Sequence, residues 1–205
     1  MRALLALLLL LLPAVPAAAE GDAPAGNPPP GGRSLAGWLL VAEPRLADPN
    51  FARTVVFLVE HDAQGAMGLI LNRVVGEGHL GAFLKGFDIE LEAEDRPFRL
   101  HAGGPVSPGL GFVLHSPDFQ SDEESRRLGD FVMTTHLDVL RALARGKGPR
   151  HSLFAMGYAG WGPGQVEAEI ARGDWTYLRA DTDLVFGTPP DRLWARAHVK
   201  AGLSL

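Results

Sequence analysis

Short apolar runs separated by Gly, Pro, Asn and Asp dominate the chain from residue 34 onward. Short runs rich in Val, Phe and Leu are typical of strands, whereas apolar residues spaced by three and four are typical of helices. The pattern predicts strands at 38–42, 53–60, 67–72, 98–101, 111–115, 130–134, 152–158, 175–178 and 184–186. It predicts helices at 80–85, 135–146, 162–172 and from about 188 to 201.

These elements follow one another without a regular β-α-β alternation, which favours a mixed, mostly antiparallel sheet with packed helices. The length of 205 residues suits one domain. The sequence therefore predicts a single α+β domain over residues 34–205.

The segment before this domain has the three-part pattern of a secretory signal peptide. Arg2 precedes an apolar run of leucines, and Ala17 to Ala19 supply small residues before Glu20. We expect a signal peptide at 1–19, a Pro/Gly-rich disordered linker at 20–33, and a periplasmic or secreted protein with no stable membrane span after cleavage. The alternative is a cytoplasmic protein whose start site has been assigned too early.

The composition and charge of the chain exclude or disfavour several kinds of site and partner. The chain has no cysteine, which excludes disulfides, thiol catalysis and thiolate metal sites. Its formal charge is −5, so nucleic acid is not an expected partner. The seven histidines show no metal-ligand spacing such as H-E-x-x-H, and we expect no metal or other cofactor.

The predicted hairpin at 53–73 gives the first candidate site. A loop at 62–65 pairs His61 with Ala66 and, counting back, Thr54 with Arg73 and Val55 with Asn72. This register brings polar side chains together at the open end of the hairpin: Asp48, Asn50, Arg53, Asn72 and Arg73. The two arginines are suited to a small anion or carboxylate. The alternative is that the cluster only closes its own turn.

Four residues are weaker candidates. His61 and His115 each end a predicted strand, which leaves open a pair in space. Trp161 and Gln165 lie in the Gly-rich segment 157–164 or directly after it, between a strand and a helix. That context suits an anion at a helix N-terminus, but the spacing fits neither G-x-G-x-x-G nor a P-loop. A core position for Trp161 is the alternative.

Several segments resemble the YqgE/AlgH family over nearly the whole predicted domain. They are GWLLVA at 37–42, DPNFARTV at 48–55, GAMGLILNR at 65–73, GGPV at 103–106, GFVLH at 111–115 and GYAGWGPGQVE at 157–167. The resemblance implies an α+β fold and a family without an established enzymatic activity, some of whose members carry a transcriptional-regulator label. Many relatives have a cysteine where this chain has Val59, and typical relatives have no export leader.

Three functions are therefore open. The first is a non-enzymatic binding or interaction module exported to the cell envelope, with a small anion or a protein as partner. The second, taken from the resemblance alone, is a transcriptional regulator. The third is a hydrolase or nuclease with a polar site at the base of the 53–73 hairpin.

We predict cleavage after Ala19 in the native host, because the leucine run is followed by small residues at the spacing that signal peptidase requires. Mass spectrometry of the protein from its host should find Glu20 as the first residue. A full-length protein in the cytoplasmic fraction would contradict the prediction.

Overall fold

The computed structural model describes residues 34–120 and 125–202. The predicted signal peptide and the predicted linker lie outside these residues. The strands are β1 (Trp38–Ala42), β2 (Val55–Asp62), β3 (Gly65–Ile70), β4 (Val74–His79), β5 (Pro97–Ala102), β6 (Val106–His115), β7 (Arg126–Leu128), β8 (Phe131–Thr134), β9 (Ser152–Trp161) and β10 (Trp175–Arg179). The helices are α1 (Leu80–Leu84), α2 (Asp138–Ala144), α3 (Gln165–Ala171), α4 (Thr182–Gly187) and α5 (Pro190–Lys200), with a 3-10 turn at Lys85–Phe87.

All ten strands belong to one curled sheet. Its main path runs β10-β1-β2-β3-β9-β6-β8-β7, and the β4–β5 pair joins this path where β5 pairs with β9. The β5–β9 pair is parallel, and the other pairs are antiparallel. The chain therefore has the single-domain α+β fold that its sequence predicts.

Both faces of the sheet are covered, and β2 shows why. Val55, Phe57 and Val59 enter one buried cluster together with residues of α4 and α5. Val56 and Leu58 enter a second cluster, which Val166 of α3 completes. A third cluster on that second face holds α1 and α2 against β5, β6 and β9. An apolar run buried on both faces needs no polar alternation, which is why β2 reads as continuous apolar sequence.

The hairpin register differs from the expected one. His61 pairs with Ala66 as predicted, but a bulge between Leu58 and Glu60 shifts the earlier pairs, so that Val56 pairs with Ile70. The predicted pairings of Thr54 with Arg73 and of Val55 with Asn72 are wrong by one residue. A bulge places one extra residue on one strand, and periodicity alone does not reveal it.

Two local predictions are corrected. The apolar run at 184–186 belongs to helix α4, whose N-terminus is capped by the Asp181 carboxylate accepting from Leu184 N. A short apolar run does not by itself separate a strand from a helix turn. The helix predicted to begin at residue 135 begins instead at Asp138, as α2 without a side-chain cap, and Thr134 Oγ1 accepts from His136 N just before it.

The chain crosses β9 where Gly103 and Gly104 face Gly157 and Tyr158. A Cβ on Gly103 would lie 2.2 Å from Gly157 O, and a Cβ on Gly104 would lie 2.1 Å from Tyr158 C. Gly103 N donates to Met156 O, and Ile70 N donates to Gly103 O, so the crossing is fixed by backbone hydrogen bonds on both sides. Glycine is required here because two backbones approach more closely than any side chain permits.

We predict that Gly104→Ala lowers the free energy of unfolding by about 3 kcal/mol or more, because its Cβ meets backbone atoms that cannot move aside. Gly109→Ala is the matched control, since nothing lies within 4 Å of its Cβ position. The control should be neutral or stabilising by up to about 1 kcal/mol. Urea denaturation measures both, and equal effects would contradict the proposed role of the crossing.

Candidate functional site

The hairpin base is closed by the side chain of Asn72. Its Oδ1 accepts from Val55 N at 2.9 Å, and its Nδ2 donates to Arg53 O at 2.9 Å. One amide thus replaces a pair of ladder hydrogen bonds at the end of the hairpin. Both bonds are to backbone groups, which is the turn-closing role that was the alternative to ligand binding.

The other residues of this cluster also bond locally. Arg73 Nη1 donates to Asn50 O at 2.9 Å, and Asp48 Oδ1 accepts from Asn50 N at 2.8 Å. Arg53 has a left-handed backbone with φ of 55°, and its guanidinium lies 5.6 Å from the centre of the Trp194 ring. The structure therefore brings the five predicted residues into one region, and both guanidinium groups have protein contacts there.

The two histidine candidates do not meet. His61 of β2 pairs with Ala66 of β3, which in turn pairs with Trp161 at the C-terminal end of β9. His115 pairs with Ser152 at the N-terminal end of β9. Nine residues of strand separate those positions, roughly 30 Å. The possible pairing of His61 with His115 is therefore wrong.

Each of these histidines has its own partners. His61 Nδ1 accepts from Leu35 N at 2.9 Å, and its Nε2 lies 3.0 Å from Glu167 Oε1 without forming a hydrogen bond among the described residues. His115 Nδ1 bonds to Ser116 O at 2.8 Å, and burial lowers the pKa of His115. Both rings are held by neighbouring structure.

Trp161 and Gln165 are joined by the carboxylate of Glu169. Its Oε2 accepts from Trp161 Nε1 at 2.9 Å and from Trp175 Nε1 at 2.8 Å. Its Oε1 accepts from Gln165 Nε2 at 2.8 Å, and Gln165 Oε1 accepts from Gly162 N. The network ties α3 to β9 and β10, and Trp161 is a buried core residue.

A cleft of about 240 Å³ lies between β5, the start of β9 and the α4–α5 corner. Its wall includes Arg96, Arg99, His101, Arg150 and His151, and none of its lining residues is acidic. The parallel pairing of β5 with β9 builds it, since Leu100 lies opposite Phe154 and brings segment 96–101 beside segment 150–152. We call this cavity the basic cleft.

The three arginines of the basic cleft differ in their partners. Arg99 Nε lies 2.9 Å from Glu77 Oε1, and Arg150 Nε lies 3.8 Å from Asp118 Oδ2. Among the described residues, Arg96 has no ion-pair or hydrogen-bond partner for its guanidinium. The hydrogen bond from the Ser116 hydroxyl lowers the pKa of Asp118, and it does so more than Arg150 does. The cleft thus retains positive charge after its internal pairs are formed.

Among the basic residues of the cleft wall, His101 is the buried one, with 5% of its surface exposed. Its Nδ1 lies 3.1 Å from Phe154 O, a carbonyl that only accepts, so Nδ1 carries the proton. Its Nε2 is buried and has no hydrogen-bond partner among the described residues. Burial is the main cause of the lowered pKa of His101.

Sequence reasoning did not find this cleft. Its two halves are about fifty residues apart, and only the β5–β9 pairing joins them. The available signal was the alternation of Arg99 and His101, which places two basic side chains on one face of a strand.

The described part of the chain offers neither a metal site nor a membrane helix. No group of three or more His, Asp or Glu side chains is placed to hold a metal ion there. None of its helices has the length and apolar character needed to span a bilayer.

Comparison with known proteins fits the fold and the family-like segments of the sequence. A family model described as AlgH-like matches residues 39–205. The chain belongs to the AlgH-like family. A UPF0301 protein of Methylococcus capsulatus is 46% identical over 177 residues, which cover 86% of this chain and 97% of that protein. A UPF0301 protein of Bradyrhizobium diazoefficiens is 42% identical, with 86% of each chain covered.

Solved structures agree with the AlgH-like assignment. The solution structure of the AlgH protein from Pseudomonas aeruginosa matches with a TM-score of 0.70 and 40% identity, over 87% of this chain and 94% of that one. A crystal structure of a Corynebacterium diphtheriae protein matches with a TM-score of 0.63 at 21% identity, which shows the shared fold. Family membership establishes the fold and leaves the biochemical function to be argued from the site.

We predict that Glu169→Ala lowers the free energy of unfolding by about 2–4 kcal/mol, because two buried indole N–H groups lose their acceptor. Glu169→Gln keeps an acceptor oxygen and should cost less. Glu94→Ala, at an exposed glutamate, should change stability by no more than about 0.5 kcal/mol. Urea denaturation followed by tryptophan fluorescence measures all three, and equal losses in the two Glu169 variants would contradict the acceptor role.

Proposed function

We propose that this AlgH-like domain is a non-enzymatic binding module that holds a small anion in the basic cleft. The observation that carries the proposal is the lining of the cleft, which combines three arginines and two histidines with no acidic side chain. This occurs in a chain of net charge −5, where a random patch of surface would carry more acidic than basic groups.

Charge and geometry both support an anionic ligand. A guanidinium offers several N–H donors in a fixed plane, which suits carboxylate, sulfate and phosphate oxygens. Arg96 has no partner among the described residues, and the Arg150–Asp118 pair is long at 3.8 Å, so both arginines retain donors for a ligand. A concave wall of one sign also raises the local concentration of opposite charge.

The size of the cleft sets the size of the ligand. Sites for drug-sized molecules occupy roughly 300–1,000 Å³. At about 240 Å³, the basic cleft is smaller than that range and suits a compact anion or the anionic head of a larger molecule.

The bonding of the cleft residues favours binding over catalysis. His101 Nδ1 is held by the Phe154 carbonyl, where a catalytic histidine of a hydrolase would be oriented by a carboxylate. Thr188, which also lines the cleft, accepts from Arg196 Nη1 at 3.0 Å and donates to Asp183 O at 3.3 Å. Its hydroxyl is therefore already engaged in protein bonds.

The proposed place of action is the cell envelope. Support comes from the sequence alone, in the leucine-rich leader and the small residues before Glu20. An exported protein would meet small inorganic and organic anions outside the cytoplasm, and nucleic acid would not be its partner.

We predict that the purified protein binds sulfate or phosphate and that Arg96→Ala combined with Arg150→Ala weakens binding at least tenfold. Each charged hydrogen bond contributes about 1.5–3 kcal/mol, and about 1.4 kcal/mol changes Kd tenfold. Isothermal titration calorimetry measures Kd, and the anion-dependent rise in Tm provides a second readout.

Arg145→Ala is the matched control, since Arg145 is an exposed arginine at the end of α2 and outside the cleft lining. It should leave anion affinity unchanged. If Arg73→Ala abolishes the anion effect while the cleft variants retain it, the hairpin base is the binding site and the cleft proposal is wrong. Absence of any anion effect in the unaltered protein would also refute it.

A further inference from the structure

The tautomer of His101 determines what its free nitrogen offers a ligand. Because Nδ1 donates to Phe154 O, the neutral ring presents a lone pair at Nε2. Nε2 is buried without a hydrogen-bond partner among the described residues, although His101 lines the basic cleft. A buried acceptor without a donor is costly, and such atoms are rare in folded proteins. Nε2 is therefore an unused hydrogen-bonding group of a residue that lines the proposed site.

An anion without hydrogens of its own has only acceptor oxygens. Beside the neutral ring, such an anion would face the Nε2 lone pair and gain nothing. Beside the protonated ring, the same oxygen would receive a short, charge-assisted N–H···O bond. We propose that His101 is an anion-binding residue of the basic cleft and that it takes up a proton at Nε2 when a dianion binds. This inference rests on the proposed function.

The charges around His101 favour the neutral ring before the anion arrives. Burial lowers the pKa of His101 most, and Arg99 lowers it further, whereas the Phe154 carbonyl and Glu77 on β4 raise it. The other basic residues of the cleft wall are Arg96, Arg150 and His151.

The α4–α5 side of the cleft adds no charged residue that would favour the protonated ring of His101. The residues it contributes to the cleft are uncharged, namely Val185, Phe186, Thr188, Pro190 and Leu193. Beyond them, Arg196 and Asp183 pair with each other. A bound dianion supplies the negative charge that the cleft wall lacks, so it raises the pKa of His101.

The ligand class follows from the same geometry. The preferred ligand is a compact dianion without donor hydrogens, such as sulfate or the fully ionised head of a phosphate ester. Its affinity should rise as the pH falls from about 8 to 6, because protonation of His101 then costs less. The rise should be at most about tenfold per pH unit, as linkage requires for one proton.

Calorimetric titration of the purified protein with sodium sulfate tests the inference. Sulfate remains a dianion across this pH range, so any proton taken up on binding belongs to the protein. Titrations at pH 7 in buffers of different ionisation enthalpy give the number of protons per sulfate. We expect an uptake that approaches one proton, and a Kd that tightens as the pH is lowered.

Substitutions identify which histidine takes up the proton when sulfate binds. His101→Gln should still bind sulfate, since an amide can donate, but with no proton uptake and with an affinity independent of pH. His79→Gln is the matched control, because His79 is exposed and outside the cleft lining, and it should keep both the affinity and the uptake. Uptake that disappears in His151→Gln and persists in His101→Gln would assign the proton to His151 and overturn the inference.

A measurement on the unaltered protein covers the case in which His101→Gln does not fold. Nitrogen-15 NMR of the histidine rings should show His101 Nε2 changing from the unprotonated to the protonated form as sulfate is added at pH 7. Sulfate binding without this change would overturn the inference and leave the proposed function intact. Absence of sulfate binding at every pH would also overturn the inference, and absence of phosphate binding as well would refute the proposed function.

Discussion

The close backbone crossing of Gly103 and Gly104 over Gly157 and Tyr158 is the constraint on which the rest of the structure depends. It allows the chain to leave β5 on one side of β9 and to begin β6 on the other. A side chain at the crossing would force the two strands apart, since a Cβ there would lie as close as 2.1 Å to the facing backbone. The parallel β5–β9 pair exists because of this crossing, and the basic cleft exists because of that pair.

The segments that carry the family resemblance are explained by this architecture. GGPV and GYAGW form the two halves of the crossing, and the end of the second segment belongs to the network around Glu169. Asn72, in GAMGLILNR, closes the hairpin. The basic residues of the cleft all lie outside the family-like segments: Arg96, Arg99, His101, Arg150 and His151. The most recognisable residues thus hold the fold, and the proposed binding groups have to be found in three dimensions.

The limits of prediction from sequence have the same origin. Apolar runs predicted most strands and the α+β class, because burial on both sheet faces leaves a local signature, as in β2. The bulge beside Val59 shifted the hairpin register by one residue. At Gly157, φ is +70°, and the odd-numbered residues of β9 change faces there, with Ala155 in one cluster and Ala159 in another. The basic cleft could not be predicted from the sequence, because no local pattern encodes the pairing of β5 with β9.

Stability and binding are linked through His101. In the folded protein its pKa is lowered mainly by burial, so the unfolded chain binds the proton more readily. This histidine therefore destabilises the fold as the pH falls below its ordinary pKa of about 6.5, and it has no such effect well above that pH. A dianion that accepts a hydrogen bond from protonated Nε2 reverses the sign of this contribution, because it makes the charged ring favourable in the folded state. On the proposed binding, acid would weaken the domain without ligand and strengthen the anion complex. The unpartnered nitrogen of His101 would then be the group that gives the proposed site its preference for a charged ligand.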